Sequence, residues 1–576
     1  MKGKQVPFTS RVTVVSVLIV VTALVIIGRL FFLQILRGKD FEERADRQFV
    51  GSASTVFDRG NIYFTRKDGQ KLEAATVIVN YKLAISPKDI ASADRENIYN
   101  KLSAVVPIDH ADFMAKAAKA SDPYEEIAQK VDSEQIKKIR ELNIKGVSFP
   151  SEKQRFYPGK NLASQTIGLV AFEDDVRTGR YGLEKYYNDI LGRGGDALYI
   201  NFFAEVFSNI SSTLFKNKDG DGDIVTTIEP TVQQYVEEEL GNIMKKWKSD
   251  SAGAIVMNPK DGSIYAMAFA PGFDPNNLKD VKDIKVLSNP LVENVYEFGS
   301  VIKPLVMAGA LDMGVVTAET SYYDKGYVEV SGQKINNFDK VGRGQATMQD
   351  VLNQSLNTGM VFTEQKMGKD AFRRYMLSYG IGEKTGIDLP NEGTGLVSNL
   401  YSKGEVEYAT ASFGQGIAMT PIEAIRALAS ISNGGKLVTP HLMSSISFAG
   451  GGSKTYEPST KQTELKPETS VKISRMLTTI VDKAMGSGQY KLEHYTIAAK
   501  TGTAQIPLPS GKGYYSDRNL HSLFGYFPAY DPKFVMIFFT EYPKGPGSDF
   551  AATTVAEPFM STAKFLLNYY DVPPDR

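Results

Sequence analysis

The hydrophobic pattern of the chain opens with an almost uninterrupted apolar run over residues 12–36. Arg29 is the one charged residue inside it. A run of this length is sufficient to cross a membrane as a helix, and Arg29 can extend its charged end towards the interface. Three basic residues precede the run, which favours an N-terminus in the cytoplasm; they are Lys2, Lys4 and Arg11.

A cleaved signal peptide is the alternative explanation of this segment. Its apolar core would be shorter, and small residues at a cleavage site would follow closely. Here the charged sequence of residues 37–42 follows instead. We therefore predict a cytoplasmic segment at 1–11 and an uncleaved transmembrane helix at 12–36, with all later residues outside the cytoplasm. Residues 37–48 are charged and helix-prone, which predicts a stalk.

Periodicity along the rest of the chain predicts an α+β protein. Residues 50–213 mix short β-type runs with amphipathic helices, and Pro230 opens a helix that reaches Leu240. Residues 252–269 have the pattern of a β-hairpin with an Asp-Gly turn, and helical periodicity dominates residues 300–432. Strands at both ends with helices between them predict a sheet flanked by helices. The later strands are expected at 496–504, 521–527 and 534–540, and a last helix at 550–567.

The composition of the chain mainly excludes certain kinds of function and site. The 576 residues exceed one ordinary domain, and 42% are apolar, enough for sizeable cores. Lysine plus arginine equals aspartate plus glutamate, so nucleic-acid binding has no electrostatic support. There is no cysteine, which excludes disulfides and thiolate chemistry, and no two of the four histidines are spaced i, i+4. We therefore expect no metal and no cofactor.

The candidate chemistry begins with Ser300-Val-Ile-Lys303. Residues at i and i+3 share a helix face, so Lys303 is expected to lie beside Ser300. A serine hydroxyl is a weak nucleophile until a neighbour takes its proton, and a desolvated lysine can take it. This motif therefore predicts a nucleophile with its own base.

Two later motifs complete a serine acyl-transfer site. Ser355-Leu-Asn357 supplies a hydroxyl to relay a proton and a carboxamide to hold a substrate amide. Lys500-Thr-Gly-Thr503 follows residues that have the pattern of an edge strand. Lys500 supplies positive charge, and Gly502 is expected to let a substrate backbone approach closely.

Each motif alone is weak, because Ser-x-x-Lys and Lys-Thr-Gly both recur. Ser331 and Ser561 also have a lysine three residues later, and 384–386 is a second Lys-Thr-Gly. Ser331 lies in a predicted turn, Ser561 in the predicted last helix, and residues 384–386 in a predicted loop. Only the set beginning at Ser300 combines a helix start, the second motif and a strand, so the ordered set is specific.

This ordered set resembles that of penicillin-binding proteins. The chain resembles the class B branch, the division-type peptidoglycan D,D-transpeptidase in particular, from the membrane segment to Leu567. The resemblance implies a stalk and a non-catalytic pedestal of mixed α/β structure, of the dimerisation type, at 37–228. It also implies a serine β-lactamase-like transpeptidase domain, with an antiparallel sheet flanked by helices, at 229–576. Residues 58–62, 155–158, 163–168 and 182–186 resemble pedestal motifs, with departures such as Gln165 in place of histidine.

The resemblance also implies the role of each site residue. Ser300 attacks a donor that ends in D-Ala-D-Ala, or a β-lactam, and Lys303 is the base. The remaining groups relay protons and bind substrate. Ser355 protonates the leaving amine, Asn357 orients Lys303 and the substrate amide, and Lys500 steers the carboxylate and supports the Ser355 proton relay. Thr501 and Thr503 hydrogen-bond the carboxylate, and the backbone N–H groups of Ser300 and Thr503 form the oxyanion hole. Leu356 and Phe298 replace the commoner serine and proline of these motifs.

Alternatives remain at this stage. A D,D-carboxypeptidase or a β-lactamase would share the serine site and admit water as acceptor. A non-enzymatic β-lactam sensor would share the fold, but no His-Glu-x-x-His motif occurs. A scaffold in which Ser300 only caps a helix would need neither Lys303 nor the later motifs. The resemblance further implies a monofunctional enzyme that works with a separate membrane glycan polymerase and other cell-wall or division proteins. Septal or side-wall use, the acceptor amine and the oligomeric state stay open.

Overall fold

A computed structural model describes residues 58–173, 176–193, 220–509 and 513–576, together with Thr22. The predicted transmembrane helix at 12–36, apart from Thr22, and the predicted stalk at 37–48 lie outside the described residues. Within the described ranges, no helix combines the length and the apolar character needed to cross a membrane.

The chain divides into two compact units, of which the first contains residues 78–154. Its sheet is built on the second half of the strand Lys71–Ile85, where Ile85 pairs with Glu125 on one side and with Val147 on the other. Three helices cover a small separate core that includes the fully buried Phe113. The elements are the helices Arg95–Ser103, His110–Ala117 and Ser133–Glu141, the 3₁₀ turns Pro87–Asp89 and Ser92–Asp94, and the strands Glu125–Val131, Val147–Ser148 and Ser151–Phe156.

The second unit contains residues 59–77, 155–193 and 220–576. Its N-terminal residues are held by a buried ionic cluster in which Arg59 Nε and Arg155 Nε each donate to Glu184 at 2.6 Å. Burial alone would raise the pKa of Glu184, but the two guanidinium groups outweigh burial and lower it. The surrounding elements are the strands Asp58–Arg59, Ile62–Thr65, Val170–Glu173, Val176–Gly179, Gly192–Arg193 and Gly222–Thr226, and the short helices Ser164–Ile167, Gly182–Tyr186 and Asn188–Leu191.

The second unit is organised around a five-stranded antiparallel sheet. Its strands are β1 (Ser251–Met257), β2 (Ile264–Ala270), β3 (Ala498–Pro507), β4 (Tyr514–Phe527) and β5 (Phe534–Glu541), in the order β2-β1-β5-β4-β3. Side chains of a strand alternate between the two faces of a sheet. Every residue of β1 and all but the last of β5 are buried, so both faces are covered.

Helices supply this cover. Pro230–Trp247 and Ala556–Tyr569 pack on each other, with Tyr235 stacked on Phe565 at 4.1 Å between ring centroids. Pro421–Ser430 contacts β1, β4 and β5, and Pro467–Thr479 contacts β3. This arrangement confirms the predicted α+β class with an antiparallel sheet between helices.

The middle of the unit is mostly helical, as predicted, but it also contains two small sheets that periodicity did not predict. Ser321–Asp324 pairs with Gly344–Thr347, and Tyr327–Val330 pairs with Gln333–Asn336. These strands are only four residues long, too short for an alternating pattern to stand out.

The remaining elements of the unit are the α-helices Pro290–Glu293, Lys303–Asp312, Met348–Asn353, Asn357–Met367, Lys369–Ser378, Val406–Ala411 and Ala551–Thr554, the 3₁₀ turns Leu278–Asp280, Ile284–Leu287, Gly299–Ile302, Ser398–Tyr401 and Met485–Gly488, the π-helical turn Ile480–Ala484, and the strands Lys436–Val438, Met443–Phe448, Ser453–Thr455 and Thr460–Gln462.

Candidate active site

Ser300 lies in a 3₁₀ turn, Gly299–Ile302, which leads directly into the α-helix Lys303–Asp312. Gly299 opens the turn with φ of 60°, a left-handed conformation that glycine adopts without strain. Pro304 occupies the first turn of the helix, where its missing N–H costs nothing. Ser300 is half-buried, whereas Lys303 is completely buried.

Lys303 joins the first motif to the second. Its Nζ donates to the backbone oxygen of Ser355 at 2.7 Å, to Oγ of Ser355 at 3.2 Å and to Oδ1 of Asn357 at 2.9 Å. Ser355 adopts a left-handed φ of 55°, and Asn357 begins the next helix. The left-handed residue between two helices turns the Ser355 oxygen atoms and the Asn357 carboxamide towards the same ammonium group.

Lys500 joins the third motif to the second. It lies on β3, the edge strand of the sheet, and its Nζ donates to Oγ of Ser355 at 3.0 Å and to the backbone oxygen of Thr501 at 2.9 Å. The Ser355 hydroxyl is therefore within hydrogen-bond distance of two lysines. Lys500 is 2% exposed.

The surroundings of Lys303 and Lys500 favour the neutral form of each side-chain amine. Burial lowers the pKa of Lys303 well below its usual value, and the charge of Lys500 lowers it further. Burial lowers the pKa of Lys500 to about 7. Among the described residues, no carboxylate forms an ion pair with either of them. A neutral amine beside a serine can accept its proton near neutral pH.

Gly502 has a packing role that the sequence did not predict. A Cβ atom there would lie 2.5 Å from the backbone oxygen of Phe298, 2.7 Å from Oγ of Ser522 and 2.9 Å from Val301. The atoms around this position belong to the segment that carries Ser300 and to Ser522 on β4. The absence of a side chain at Gly502 lets β3 approach the turn that carries Ser300. The expected approach of a substrate backbone to Gly502 stays a prediction.

The two threonines of the third motif are accessible. Thr501 is half-buried and Thr503 is exposed, and Oγ1 of Thr503 accepts from the N–H of Ala551 at 3.2 Å. The structure thus brings the three motifs together, because Lys303 and Lys500 meet at Ser355 and β3 packs against the turn that carries Ser300. The recurring motifs lie apart in other surroundings: Ser331 has φ of 48° in the turn between two strands, Ser561 lies inside Ala556–Tyr569, and residues 384–386 follow the helix Lys369–Ser378 in a loop.

The two unusual motif residues are core residues. Leu356 and Phe298 are both completely buried. The ring of Phe298 meets that of Phe539 edge-on at 5.9 Å, so it fixes the loop before Ser300 to the sheet. Neither residue carries a group that takes part in proton transfer.

Sequence reasoning missed a carboxyl group close to the nucleophile. Glu297 accepts from the hydroxyl of Tyr514 at 3.0 Å and from the backbone N–H of Gly416. Burial raises its pKa, although these two donors oppose the shift. Gly414, two residues before Gly416, packs against the backbone of Gly299. These contacts connect the Ser300 turn to two segments that are distant in the chain. The position of Glu297, three residues before Ser300, was the one feature of the sequence that could have indicated its role.

A second missed cluster supports Asn357. Its Nδ2 donates to the backbone oxygen of Asn336 at 3.0 Å. The next residue, Asn337, accepts from the N–H of Thr358 at 3.2 Å and donates to the buried carboxylate of Asp324. These contacts join segments far apart in the chain, and no local spacing signals them.

Comparison with known proteins agrees with this geometry. Residues 252–561 match the penicillin binding protein transpeptidase domain, and residues 57–227 match the penicillin-binding protein dimerisation domain. Stage V sporulation protein D of Bacillus subtilis (strain 168) is 30% identical over 557 residues, which cover 95% of this chain and 83% of that protein. Peptidoglycan D,D-transpeptidase FtsI of Escherichia coli (strain K12) is 25% identical, over 96% of this chain and 90% of that protein.

A solved structure shares the fold. Penicillin Binding Protein 2X from Streptococcus thermophilus matches with a TM-score of 0.74 at 21% identity, over 90% of this chain and 81% of that one. Both domain matches and the similarity to these relatives extend over most of the chain. The chain therefore belongs to the penicillin-binding proteins, within the class B D,D-transpeptidases.

Proposed function

We propose that this protein is a serine D,D-transpeptidase that cross-links the stem peptides of peptidoglycan through an acyl-enzyme on Ser300. The observation that carries the proposal is the hydroxyl of Ser355 within hydrogen-bond distance of both Lys303 and Lys500. That arrangement supplies a base for the nucleophile and a separate proton route to the leaving group. A hydroxyl that only caps a helix requires neither.

In the acylation step, neutral Lys303 accepts the proton of Ser300 as Oγ attacks the carbonyl carbon of the penultimate D-alanine. The charge that develops on the carbonyl oxygen is held by the backbone N–H groups of Ser300 and Thr503; such a donor contributes about 3–4 kcal/mol in acyl transfer. The C–N bond then breaks, and the leaving D-alanine takes a proton from Ser355, which regains the proton that Lys303 took from Ser300. The result is an ester on Ser300 and free D-alanine.

In the second step, an amine of a neighbouring stem peptide attacks the ester carbon. The amine gives up a proton to Lys303 by way of Ser355, the C–O bond to Ser300 breaks, and Oγ regains that proton from Lys303. A new amide is formed and the enzyme returns to its initial state. Asn357 orients Lys303 and the donor amide, while Lys500, Thr501 and Thr503 bind the donor carboxylate. The same groups, acting on a β-lactam, leave a penicilloyl ester on Ser300.

We further propose that residues 12–36 anchor the protein in the cell membrane, with residues 1–11 in the cytoplasm and the catalytic domain outside. The functional division that we propose is a stalk and pedestal at 37–228, which binds a membrane glycan polymerase and other division proteins, and a transpeptidase domain at 229–576. The division septum is the proposed place of action. The apolar run, the basic residues before it and the resemblance to the division-type family support these proposals.

Covalent labelling with a fluorescent penicillin tests the proposed function. The adduct is expected on Ser300, and Ser300→Ala should abolish it. Ser331→Ala and Ser561→Ala are matched controls, because each removes a serine that also has a lysine at i+3. Lys303→Ala should slow acylation by roughly 10²–10⁴-fold, the usual contribution of a general base. An adduct mapped to either control serine would overturn the assignment of the site.

A further inference from the structure

A completely buried histidine lies beside the third motif. His521, on β4, is the register partner of Thr503 on β3. Residues directly opposite each other in an antiparallel pair place their side chains on the same face of the sheet. Thr503 is exposed at that face, whereas His521 is 0% exposed. His521 is therefore a neighbour of Thr503 that is shielded from solvent.

The short helix Ala551–Thr554 is bonded to both of these residues. It packs against β3 and β4. Its first residue, Ala551, donates its N–H to Oγ1 of Thr503 at 3.2 Å. Its last residue, Thr554, is completely buried, and Oγ1 of Thr554 lies 2.9 Å from Nδ1 of His521. Because the backbones of Thr503 and His521 are paired as well, the two strands and the helix form a closed ring of contacts.

The contact with Thr554 accounts for a histidine at this position. Burial lowers the pKa of His521 to about 4, although the charge of Asp549 opposes the shift, so the imidazole is neutral near neutral pH. Among the described residues, Nε2 of His521 has no hydrogen-bond partner. A buried polar atom without a partner costs free energy, and an apolar side chain of similar size would avoid that cost. Packing alone therefore does not explain the histidine, whereas its bond to Thr554 does.

The contact with Ala551 decides how the hydroxyl of Thr503 is used. A hydroxyl oxygen that accepts from a backbone N–H still has its own proton to donate. In the proposed function this proton goes to the donor carboxylate, and hydrogen bonds to ionised groups are stronger than those between neutral groups. A threonine side chain has few rotamers, because it is branched at Cβ. Holding Oγ1 against the helix therefore fixes the direction in which Thr503 donates.

We propose that His521 is a positioning residue for donor binding. It holds the helix Ala551–Thr554 in the place from which the N–H of Ala551 orients the hydroxyl of Thr503 towards the donor carboxylate. This inference rests on the proposed function, in which Thr503 binds that carboxylate. His521 acts through Thr554 and Thr503, so its loss should reduce acylation only as far as the hydroxyl of Thr503 contributes to it.

The test is a double-mutant cycle in the full-length protein, measured as the second-order rate constant for acylation of Ser300 by a fluorescent penicillin. His521→Leu removes the bond to Thr554 and should lower the rate constant by about tenfold, the size of one hydrogen bond to a charged group. Thr503→Val removes the hydroxyl that this bond orients. In the Thr503→Val background, His521→Leu should therefore lower the rate constant by less than about twofold, because both changes remove the same interaction.

Three further variants separate positioning from stability. His521→Asn places an amide group near the position of Nδ1 and should keep most of the rate. Thr554→Val removes the partner of the histidine and should reproduce the loss caused by His521→Leu. Thr562→Val is the matched control and should leave the rate unchanged. Thr562 is also a completely buried helix threonine, and its hydroxyl donates to the backbone oxygen of Pro558 at 2.8 Å.

The outcomes distinguish this inference from the proposed function. An equal loss from His521→Leu in both backgrounds would overturn the inference, because a general loss of stability does not depend on the hydroxyl of Thr503. Unchanged rates in both His521→Leu and Thr554→Val would also overturn it. In either case the unmodified protein would still be acylated on Ser300, and the proposed function would stand. Absence of acylation in the unmodified protein would instead overturn the proposed function.

Discussion

Replacing Lys500 with glutamine should raise the pH at which Ser300 becomes reactive. Nζ of Lys303 and Nζ of Lys500 lie 3.2 Å and 3.0 Å from the same Oγ of Ser355, so they are at most about 6 Å apart. At that separation and an effective dielectric constant of about 20, two unit charges repel by about 3 kcal/mol, or roughly two pKa units. Because the pKa of Lys500 is itself about 7, it is only partly charged near neutral pH. We therefore expect a shift of about one unit.

The sign follows from the role of Lys303 as a base. Only its neutral form accepts the proton of Ser300, so acylation accelerates as pH rises through the pKa of Lys303. Without the neighbouring positive charge, Lys303 keeps its proton to higher pH. At pH values below the midpoint of the pH–rate profile, raising the pKa of Lys303 by one unit slows acylation by about tenfold. Any loss of rate that is common to all pH values adds to this effect.

The assay is the second-order rate of acylation by a fluorescent penicillin, measured from about pH 5 to about pH 10, where the base is expected to titrate. Loss of carboxylate binding in Lys500→Gln lowers the rate at every pH, so the midpoint is the diagnostic quantity. Lys334→Gln removes the lysine of a recurring Ser-x-x-Lys motif and should leave the profile unchanged. A midpoint that stays in place or moves to lower pH in Lys500→Gln would refute the electrostatic coupling of the two lysines.

Three other predictions follow from the same site and chain. Gly502→Ala should lower both the acylation rate and Tm, because the new Cβ would lie 2.5 Å from the backbone oxygen of Phe298. The control is Gly241→Ala, which adds a Cβ at a helix position with no atom within 4 Å and should lower neither quantity. The penicilloyl ester on Ser300 should persist far beyond the acylation time, and an added D-amino acid should divert a thioester donor from hydrolysis to transfer; rapid turnover with no transfer would favour a hydrolase. The protein should fractionate with membranes and keep its N-terminus, and protease added outside protoplasts or spheroplasts should digest everything beyond about Arg37, where the charged segment begins. Protection of the catalytic domain would reverse the proposed topology.

Much of the chemistry was readable from the sequence because it depends on local spacing. A serine and a lysine at i and i+3 near a helix start are neighbours in any fold that keeps the helix, and Ser300 and Lys303 are such a pair. The strands at both ends of the domain, with helices between them, likewise predicted a sheet flanked by helices, because burial of one face or both imposes a period on the sequence. The antiparallel order was implied only by the family resemblance. The recurring motifs at Ser331 and Ser561 were separated from the site by the same local reasoning.

Contacts between distant residues were decided only by the tertiary structure. Ser355 is 145 residues from Lys500, and no local pattern shows that its hydroxyl is within reach of both lysines. The low pKa of each lysine results from burial, which depends on every segment packed around it. The packing reason for Gly502 and the contact of His521 with Thr554 have the same origin. The sequence by itself determined which reactive groups are present and in which order. The fold decided which of them lie close enough to exchange a proton, because proton transfer depends on distance and solvation rather than on position in the chain.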